Sequence, residues 1–200
     1  AYFEDTIAEI KEVGQGSRGM LAIGADQTCL SYLPEKISLM REQYPNLCFK
    51  IIEGDTFFLT ESLLNKEIDI AILQQPIEDE KFLSLGLAVE EFVLATPAQW
   101  NLKSPILMED LKDMPFLSFY RHRNCSTFRF ITDEFKRHGF EPNIICECTD
   151  IAMVSSLISE GLGVTILPKT SLDKFLIKGI KIIELSNCNI QSKATIICPK

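Results

Sequence analysis

Short apolar runs and amphipathic helical patterns alternate along the first half of the chain. The predicted elements are strands over residues 20–23, 49–52 and 68–73 and helices over 31–44 and 56–66. In the first helix four side chains recur on one face: Leu33, Ile37, Met40 and Tyr44. This order predicts a βαβαβ unit with parallel strands, and such units bind ligands at the carboxyl ends of their strands.

The second half of the chain repeats this order. Its predicted elements are strands over 116–119, 143–146 and 164–167 and helices over 126–138 and 150–160. A strand over 91–95 is followed by a polar segment, so we place the boundary between two lobes near Thr96. Two further strands cover 180–183 and 194–197, and we expect the last one to cross back to the first lobe.

The predicted fold class is therefore α/β, with two Rossmann-like lobes joined by two crossing hinge strands. Lobe I comprises residues 16–96 and 191–200, and lobe II comprises residues 97–190. Residues 1–15 carry apolar side chains on one helical face and are expected to be the end of a linker helix. A hinged clamshell of this kind holds its ligand in the cleft between the lobes.

Composition and charge narrow the class of partner. The chain has 200 residues, of which 46% are hydrophobic, so it can bury a substantial core. Its net charge of -8 and the absence of a Lys/Arg run argue against direct binding to DNA. No secretory signal or membrane-spanning run is visible, and seven cysteines, an odd number, suit a reducing compartment. We therefore expect a cytoplasmic protein without membrane contact.

Few residues of this sequence suit catalysis. His138 ends a predicted helix and is expected at the surface, which leaves His122 as the remaining candidate for a general base. The sequence contains no Gly-rich phosphate loop, no HExxH motif and no Gly-x-Ser-x-Gly motif. We expect no enzyme activity, no cofactor and no metal site. A stand-alone solute-binding protein is an alternative, although export would oxidise the odd set of cysteines.

Five short motifs follow one another in a fixed order: residues 16–24 (GSRGMLAIG), 33–34 (LP), 44–47 (YPNL), 68–72 (IDIAI) and 161–168 (GLGVTILP). Together they resemble the effector-binding domain of LysR-type transcriptional regulators. The resemblance implies a clamshell like that of type 2 periplasmic binding proteins, and a small-molecule effector in the cleft. It also implies a homodimer or tetramer in which the helix over 31–44 packs on the helix over 126–138 of an antiparallel partner. DNA would be bound only through a winged helix-turn-helix outside this chain.

Candidate ligand-binding residues follow the strands of both lobes, where the family places short polar side chains at helix N-termini. They are Asp26, Gln27, Thr28, Thr56, Tyr120, Arg121, Thr149 and Asp150, together with the apolar Ile166 of the last motif. Thr56 and Thr149 suit helix capping equally well. Arg121 could clamp a carboxylate or pair with Asp26 across the cleft. The expected ligand is a small polar metabolite, with a carboxylate favoured.

Cys125 supports an alternative function. It lies beside Arg123 and before a predicted helix, two features that lower the pKa of a thiol. Its placement resembles that of the reactive cysteine in the peroxide-sensing branch of the LysR family. Glu134 stands where the resolving cysteine of that branch is expected, which leaves Cys146 or Cys148 as substitutes. The other interpretation of all seven cysteines is that they are small buried side chains in a reduced protein.

Overall fold

Three β-sheets, one in the first lobe and two in the second, organise the chain in the computed structural model, which describes residues 19–75, 79–119, 126–173 and 178–200. The first sheet contains β1 (Gly19–Ala25), β2 (Leu47–Glu53), β3 (Ile70–Leu73), β4 (Phe82–Glu90) and β10 (Ser192–Pro199), in the order β2-β1-β3-β10-β4. β1 pairs in parallel with β2 and β3, whereas β10 runs antiparallel to β3 and β4. The carboxyl ends of β1 and β2 therefore lie side by side at one edge of the first lobe.

Two α-helices follow strands of the first sheet. They are α1 (Leu33–Gln43) and α2 (Thr56–Leu64), and a 3-10 helix (Gln27–Tyr32) precedes α1. Pro34 is tolerated in the first turn of α1, where a backbone N–H has no helical partner. Asp55 caps α2 by accepting a hydrogen bond from the Phe58 N–H at 2.8 Å. The sequence pattern predicted both helices, and the 3-10 turn replaces the first residues of the longer one.

The second lobe contains the remaining strands and three helices. The strands are β5 (Phe92–Pro97), β6 (Pro115–Phe119), β7 (Asn143–Cys148), β8 (Thr165–Pro168) and β9 (Ile180–Glu184). The helices are α3 (Ser126–Arg137), α4 (Ile151–Ser159) and α5 (Lys169–Asp173). β5 pairs with β8 and β9, β6 pairs in parallel with β7, and a bridge between Phe116 and Val164 connects the two groups of strands. The architecture is the predicted clamshell of two α/β lobes.

The first crossing between the lobes differs in position from the sequence prediction. β5 was expected in lobe I, yet it pairs with β8 and β9 of the second lobe. The chain crosses at Glu91, between β4 and β5, and therefore earlier than Thr96. A fully buried strand such as β5 has apolar side chains on both faces, so its sequence does not identify the sheet that it joins. The second crossing leads from β9 into β10, which joins the first sheet.

His138 does not lie exposed as the sequence predicted. Its side chain is only 7% exposed and lies in a polar cluster at the end of α3. The imidazole Nδ1 is 2.7 Å from Glu109 Oε1, and Arg137 forms two hydrogen bonds to Glu134. The Asn187 side chain donates to Glu109 at 2.7 Å, which ties the segment before β10 to this cluster. His138 lies directly after the last residue of α3, at the helix end as predicted, but its ring contacts the carboxylates of Glu134 and of Glu109, which is distant in sequence.

Each lobe has its own hydrophobic core. In the second lobe Phe135 of α3 is fully buried, and its ring meets Phe116 edge to face at a centroid distance of 5.2 Å. In the first lobe Ile23 of β1 is fully buried among side chains of β3 and α1. Among the helices of the described residues, none has the length and apolar character that crossing a membrane requires.

We expect Phe135→Ala to lower the free energy of unfolding by about 3 to 5 kcal/mol, because it removes a buried ring and leaves a cavity. Phe57→Ala is the matched control, since the Phe57 side chain is 71% exposed and surface substitutions change stability by roughly 0.5 kcal/mol or less. Urea unfolding of both variants measures the difference. Equal midpoints would contradict the assignment of Phe135 to the core.

Acidification should destabilise the second lobe through Glu109. Hydrogen bonds from Asn187 and then from His138 lower the pKa of Glu109 from 4.5 to about 2. A carboxyl group whose pKa is depressed in the folded state stabilises the protein above its unfolded pKa. Its contribution is therefore lost as the pH falls from about 4.5 toward 2.

Glu109→Gln should flatten the dependence of unfolding midpoint on pH in this window. Glu141→Gln, which alters an exposed glutamate of the same lobe, serves as the control. The same pH dependence in Glu109→Gln and in the unmodified protein would show that Glu109 does not carry this effect.

Candidate functional site

The cleft lies where strand ends of the two lobes face each other. In the first lobe β1 leads into the 3-10 helix that begins at Gln27, and β2 leads into α2. In the second lobe β7 leads into α4. A direct hydrogen bond between Gln27 and Ile151 joins the two sides. We use "the cleft" for the region bounded by the carboxyl ends of β1 and β2 and the N-terminus of α4.

Gln27 spans the cleft with its carboxamide group. The side-chain oxygen accepts a hydrogen bond from the Ile151 N–H at 3.0 Å, and the side-chain nitrogen donates to Glu53 Oε1 at 3.0 Å. Ile151 is the first residue of α4, and Glu53 is the last residue of β2. One half-buried amide therefore connects the ends of β1 and β2 to the first turn of a helix in the other lobe.

The N-terminus of α4 has three backbone N–H groups without partners inside the helix. Asp150 caps the helix, and its carboxylate accepts hydrogen bonds from Ala152 N at 2.6 Å and Met153 N at 3.1 Å. Gln27 supplies an acceptor to the third, the Ile151 N–H. A ligand oxygen that bound this N–H group would therefore take the place of the Gln27 oxygen.

Asp26 and Thr28 face the interior of the first lobe. Both side chains are buried, and Asp26 Oδ1 accepts from the Thr28 N–H at 3.0 Å. The Thr28 hydroxyl oxygen lies 2.7 Å from Asp26 Oδ1 and 2.8 Å from Oε1 of Gln74. Gln74 in turn donates to the Ser192 hydroxyl at 2.6 Å, at the start of β10. These two predicted site residues thus belong to a buried chain of hydrogen bonds that reaches a hinge strand.

A buried carboxylate, next to the first crossing between the lobes, forms hydrogen bonds with residues of both lobes. Glu90, the last residue of β4, is 3% exposed and accepts a hydrogen bond from the Tyr32 hydroxyl. The Thr170 hydroxyl in α5 lies 2.9 and 2.8 Å from its two oxygens. The neighbouring Ser171 donates to the Thr28 carbonyl at 2.9 Å. The first turn of α5 is therefore bound to the first lobe.

The sequence analysis did not identify Gln74, which bonds to Thr28, or Glu90, which connects the two lobes. Gln74 follows the buried strand β3, so the rule for strand ends could have identified it. Glu90 is a charged residue at the end of a strand and next to the crossing. A buried carboxylate needs hydrogen-bond partners, but the two hydroxyl groups that bind it come from distant parts of the sequence.

The other predicted site residues take several positions. Thr56 is the first residue of α2 and is half-buried, while its neighbour Asp55 is the helix cap. Thr149 is exposed and Asp150 caps α4, so neither threonine is a cap residue. Ile166 is fully buried in the core of the second lobe, and its role in ligand binding stays a prediction. Its strand β8 has core on both sides, and the motif alone did not indicate this.

Three predicted residues lie outside the described part of the chain: Tyr120, Arg121 and Cys125. Their predicted roles, binding for the first two and redox sensing for the third, remain predictions from the sequence. Within residues 19–75, 79–119, 126–173 and 178–200, no group of three or more His, Cys, Asp or Glu side chains could hold a metal ion.

A cavity of about 420 Å³ lies between the two crossings of the lobes. Residues of both crossings line it, among them Glu91 and Gln191.

Comparison with known proteins identifies the family of this chain. The family model of the LysR substrate binding domain matches residues 14–200. The HTH-type transcriptional regulator BsdA of Bacillus subtilis (strain 168) is 30% identical over 187 residues, which are 92% of this chain and 64% of that protein. This chain therefore spans less than two thirds of the length of that relative.

Solved structures show the same fold at lower identity. The BenM effector binding domain with its effector benzoate has a TM-score of 0.76 and 23% identity, covering 90% of this chain and 83% of that one. A mutant of OxyR from Corynebacterium glutamicum has a TM-score of 0.80 and 22% identity, covering 100% of this chain and 63% of that one. The resemblance inferred from the five motifs is confirmed, and the chain belongs to the LysR substrate binding domain family.

Proposed function

We propose that this domain senses a small polar metabolite in the cleft and transmits its binding to the DNA-binding part of a LysR-type regulator. The bridge formed by Gln27 carries the proposal. The side-chain oxygen of Gln27 in one lobe accepts a hydrogen bond from the N–H of Ile151, at the N-terminus of a helix in the other lobe. An oxygen atom of a ligand could accept the same hydrogen bond. A ligand that replaced it would change the contact between the lobes and thereby their closure.

The proposed ligand carries a carboxylate. Helix N-termini favour negative charge because their backbone N–H groups and their dipole point toward it. The BenM effector binding domain, whose solved structure contains benzoate, has this fold and provides a precedent for a small carboxylate. Asp150 already caps the α4 N-terminus, and Glu53 and Asp55 also border the cleft. The proposed ligand must therefore offset this negative charge with hydrogen-bond donors of its own when its carboxylate binds the Ile151 N–H.

The proposed role is regulation rather than catalysis, in the cytoplasm and without membrane contact. BsdA is named as a transcriptional regulator, and the proposal extends that role to the protein that contains this chain. Binding to DNA would occur through a winged helix-turn-helix outside these 200 residues. We propose three parts for the chain. Residues 1–15 are the end of a linker helix, and lobe I comprises residues 16–96 and 191–200 except for β5. Lobe II comprises β5 and residues 97–190.

Substitution of Gln27 tests the site. Once a carboxylate panel, screened by thermal melting, has yielded a ligand, Gln27→Ala should tighten its binding by up to about tenfold, or about 1.4 kcal/mol, because the ligand no longer has to displace the Gln27 oxygen from the Ile151 N–H. Gln27→Glu should weaken the binding instead, since a carboxylate at this position competes for the Ile151 N–H and repels the carboxylate of the ligand. Gln43→Ala, which alters an exposed glutamine of α1, should leave the affinity unchanged. Calorimetric titration measures all three variants.

Other outcomes of this experiment would contradict the proposal. Unchanged affinity in Gln27→Ala would place the ligand elsewhere. Tighter binding to Gln27→Glu would mean that the ligand is a cation. If no carboxylate raised the melting temperature and peroxide changed it in a way that Cys125→Ser abolished, the thiol-sensing alternative would replace the metabolite sensor.

We propose further that the domain assembles with copies of itself through α1 and α3, as the family resemblance implies. Leu39 lies on the outer face of α1 with half of its side chain (50%) exposed. Phe130 of α3 packs against Phe92 at a ring-centroid distance of 6.3 Å and is only partly buried. Covering such apolar surface favours association.

Leu39→Glu should convert the dimer or tetramer into monomer at micromolar concentration, because it introduces a charge into the proposed interface. Light scattering coupled to size exclusion measures the molar mass. Leu64→Glu is the control, since Leu64 is similarly exposed (42%) but lies at the end of α2. A monomeric unmodified protein would disprove self-association of this domain, and equal effects of both substitutions would disprove the interface.

A further inference from the structure

Two cysteine thiols are in contact near the carboxyl end of β7. Cys146 and Cys148 alternate with Glu147, so both side chains lie on the same face of the strand. Their sulfur atoms are 3.6 Å apart. Cys148 is 8% exposed and belongs to the core of the second lobe, whereas Cys146 is partly exposed beside it. The pair thus has one accessible thiol and one covered thiol.

The register between β6 and β7 shifts by one residue just before the two cysteines. Phe116 of β6 pairs with Ile144, but the next residue, Leu117, pairs with Cys146. Ile145 is therefore the extra residue of a β-bulge, which turns the strand locally. β7 pairs with β6 along one edge and leads directly into the Asp150 cap of α4.

The distance between the sulfur atoms indicates which ligands the pair can hold. The two sulfur atoms are in van der Waals contact, as expected of two reduced thiols; a disulfide would bring them to about 2.05 Å, and forming it requires an oxidant. With bonds of about 2.3 Å, the length of a zinc–thiolate bond, a pyramidal or tetrahedral centre holds two sulfurs about 3.5 to 3.8 Å apart, and a linear centre about 4.6 Å. The observed 3.6 Å is closer to the bent geometry than to the linear one, so a bent centre requires the smaller movement of the two thiols.

The number of side chains near the two thiols decides which kind of centre they can bind. The described residues offer no third His, Cys, Asp or Glu ligand to complete a metal site with these thiols. Tetrahedral structural zinc sites use four protein ligands. The pair instead suits a three-coordinate, pyramidal centre that already carries one organic group. Such a centre needs only two sulfur ligands from the protein.

We propose that Cys146 and Cys148 form a dithiol site for trivalent arsenic compounds that carry one organic substituent. In the reaction with an arsine oxide, both S–H bonds break and two As–S bonds form. The oxygen of the arsenic compound leaves as water with the two thiol protons. Arsenic stays trivalent, so the reaction requires no oxidant or reductant.

The two thiols should react in order. Burial, and then the hydrogen bond with Cys146, raise the pKa of Cys148 from 9.0 to about 11. Since the thiolate is the reactive form, Cys148 is the slower nucleophile at neutral pH. The accessible Cys146 binds first and holds the arsenic beside Cys148, which then closes the ring. The second step should accelerate as the pH rises toward 11.

Mass spectrometry with phenylarsine oxide tests the site on the reduced protein. One phenylarsenic group per chain should persist in excess 2-mercaptoethanol, a monothiol, and leave on addition of 2,3-dimercaptopropanol, a dithiol. Cys146→Ser and Cys148→Ser should each lose this retention. Cys48→Ser, which alters an exposed cysteine, and Cys125→Ser should keep it.

Tryptic digestion gives an independent result that needs no variant. The peptide 138–169 contains Cys146 and Cys148 and no other cysteine, because it lies between cleavage sites at Arg137 and Lys169. We expect this peptide to carry the phenylarsenic group alone. An arsenic bridge from it to the peptide of Cys125, retention in Cys146→Ser or Cys148→Ser, or no retention in the unmodified protein would each overturn the proposal.

Discussion

The hydrogen bond between the Gln27 side chain and the Ile151 N–H is the interaction on which the rest of the site depends. It joins the strand ends of one lobe to the helix N-terminus of the other. Because a ligand oxygen would exchange one hydrogen bond for another of similar strength, the exchange alone gives little free energy. The effector must add contacts that differ between the open and closed lobes, since only differential affinity shifts a conformational equilibrium.

The hinge restricts how the lobes can respond. Glu90 is buried between Tyr32 of the first lobe and Thr170 of the second, and a buried carboxylate that lost these partners would be costly. We infer that closure pivots about this cluster. The cleft contact at Gln27 is a single hydrogen bond through one side-chain oxygen, so it is the weaker of the two connections. We therefore propose that ligand binding has its largest effect on the contacts at the cleft.

Much of the fold follows from the sequence, because apolar periodicity identifies helices such as α1 and strands such as β3. The sequence analysis assigned β5 to the wrong lobe, because a strand that is buried on both faces has no polar pattern that identifies the strands it pairs with. Position after a strand selected Gln27, which lies at the cleft, and also Thr28, whose hydroxyl turns inward to Gln74; the binding role of both residues stays a prediction. The direction of a side chain and partners distant in sequence, as for Glu90, depend on tertiary packing.

The central claim is that the effector replaces the Gln27 oxygen on the Ile151 N–H. Nuclear magnetic resonance of the nitrogen-labelled domain tests it most directly, by titrating the ligand while following the Ile151 backbone amide and the Gln27 side-chain amide. The account predicts that these two signals shift together and saturate with the binding curve, while the side-chain amide of the exposed Gln43 stays unchanged. Saturating ligand with both signals unmoved would contradict it.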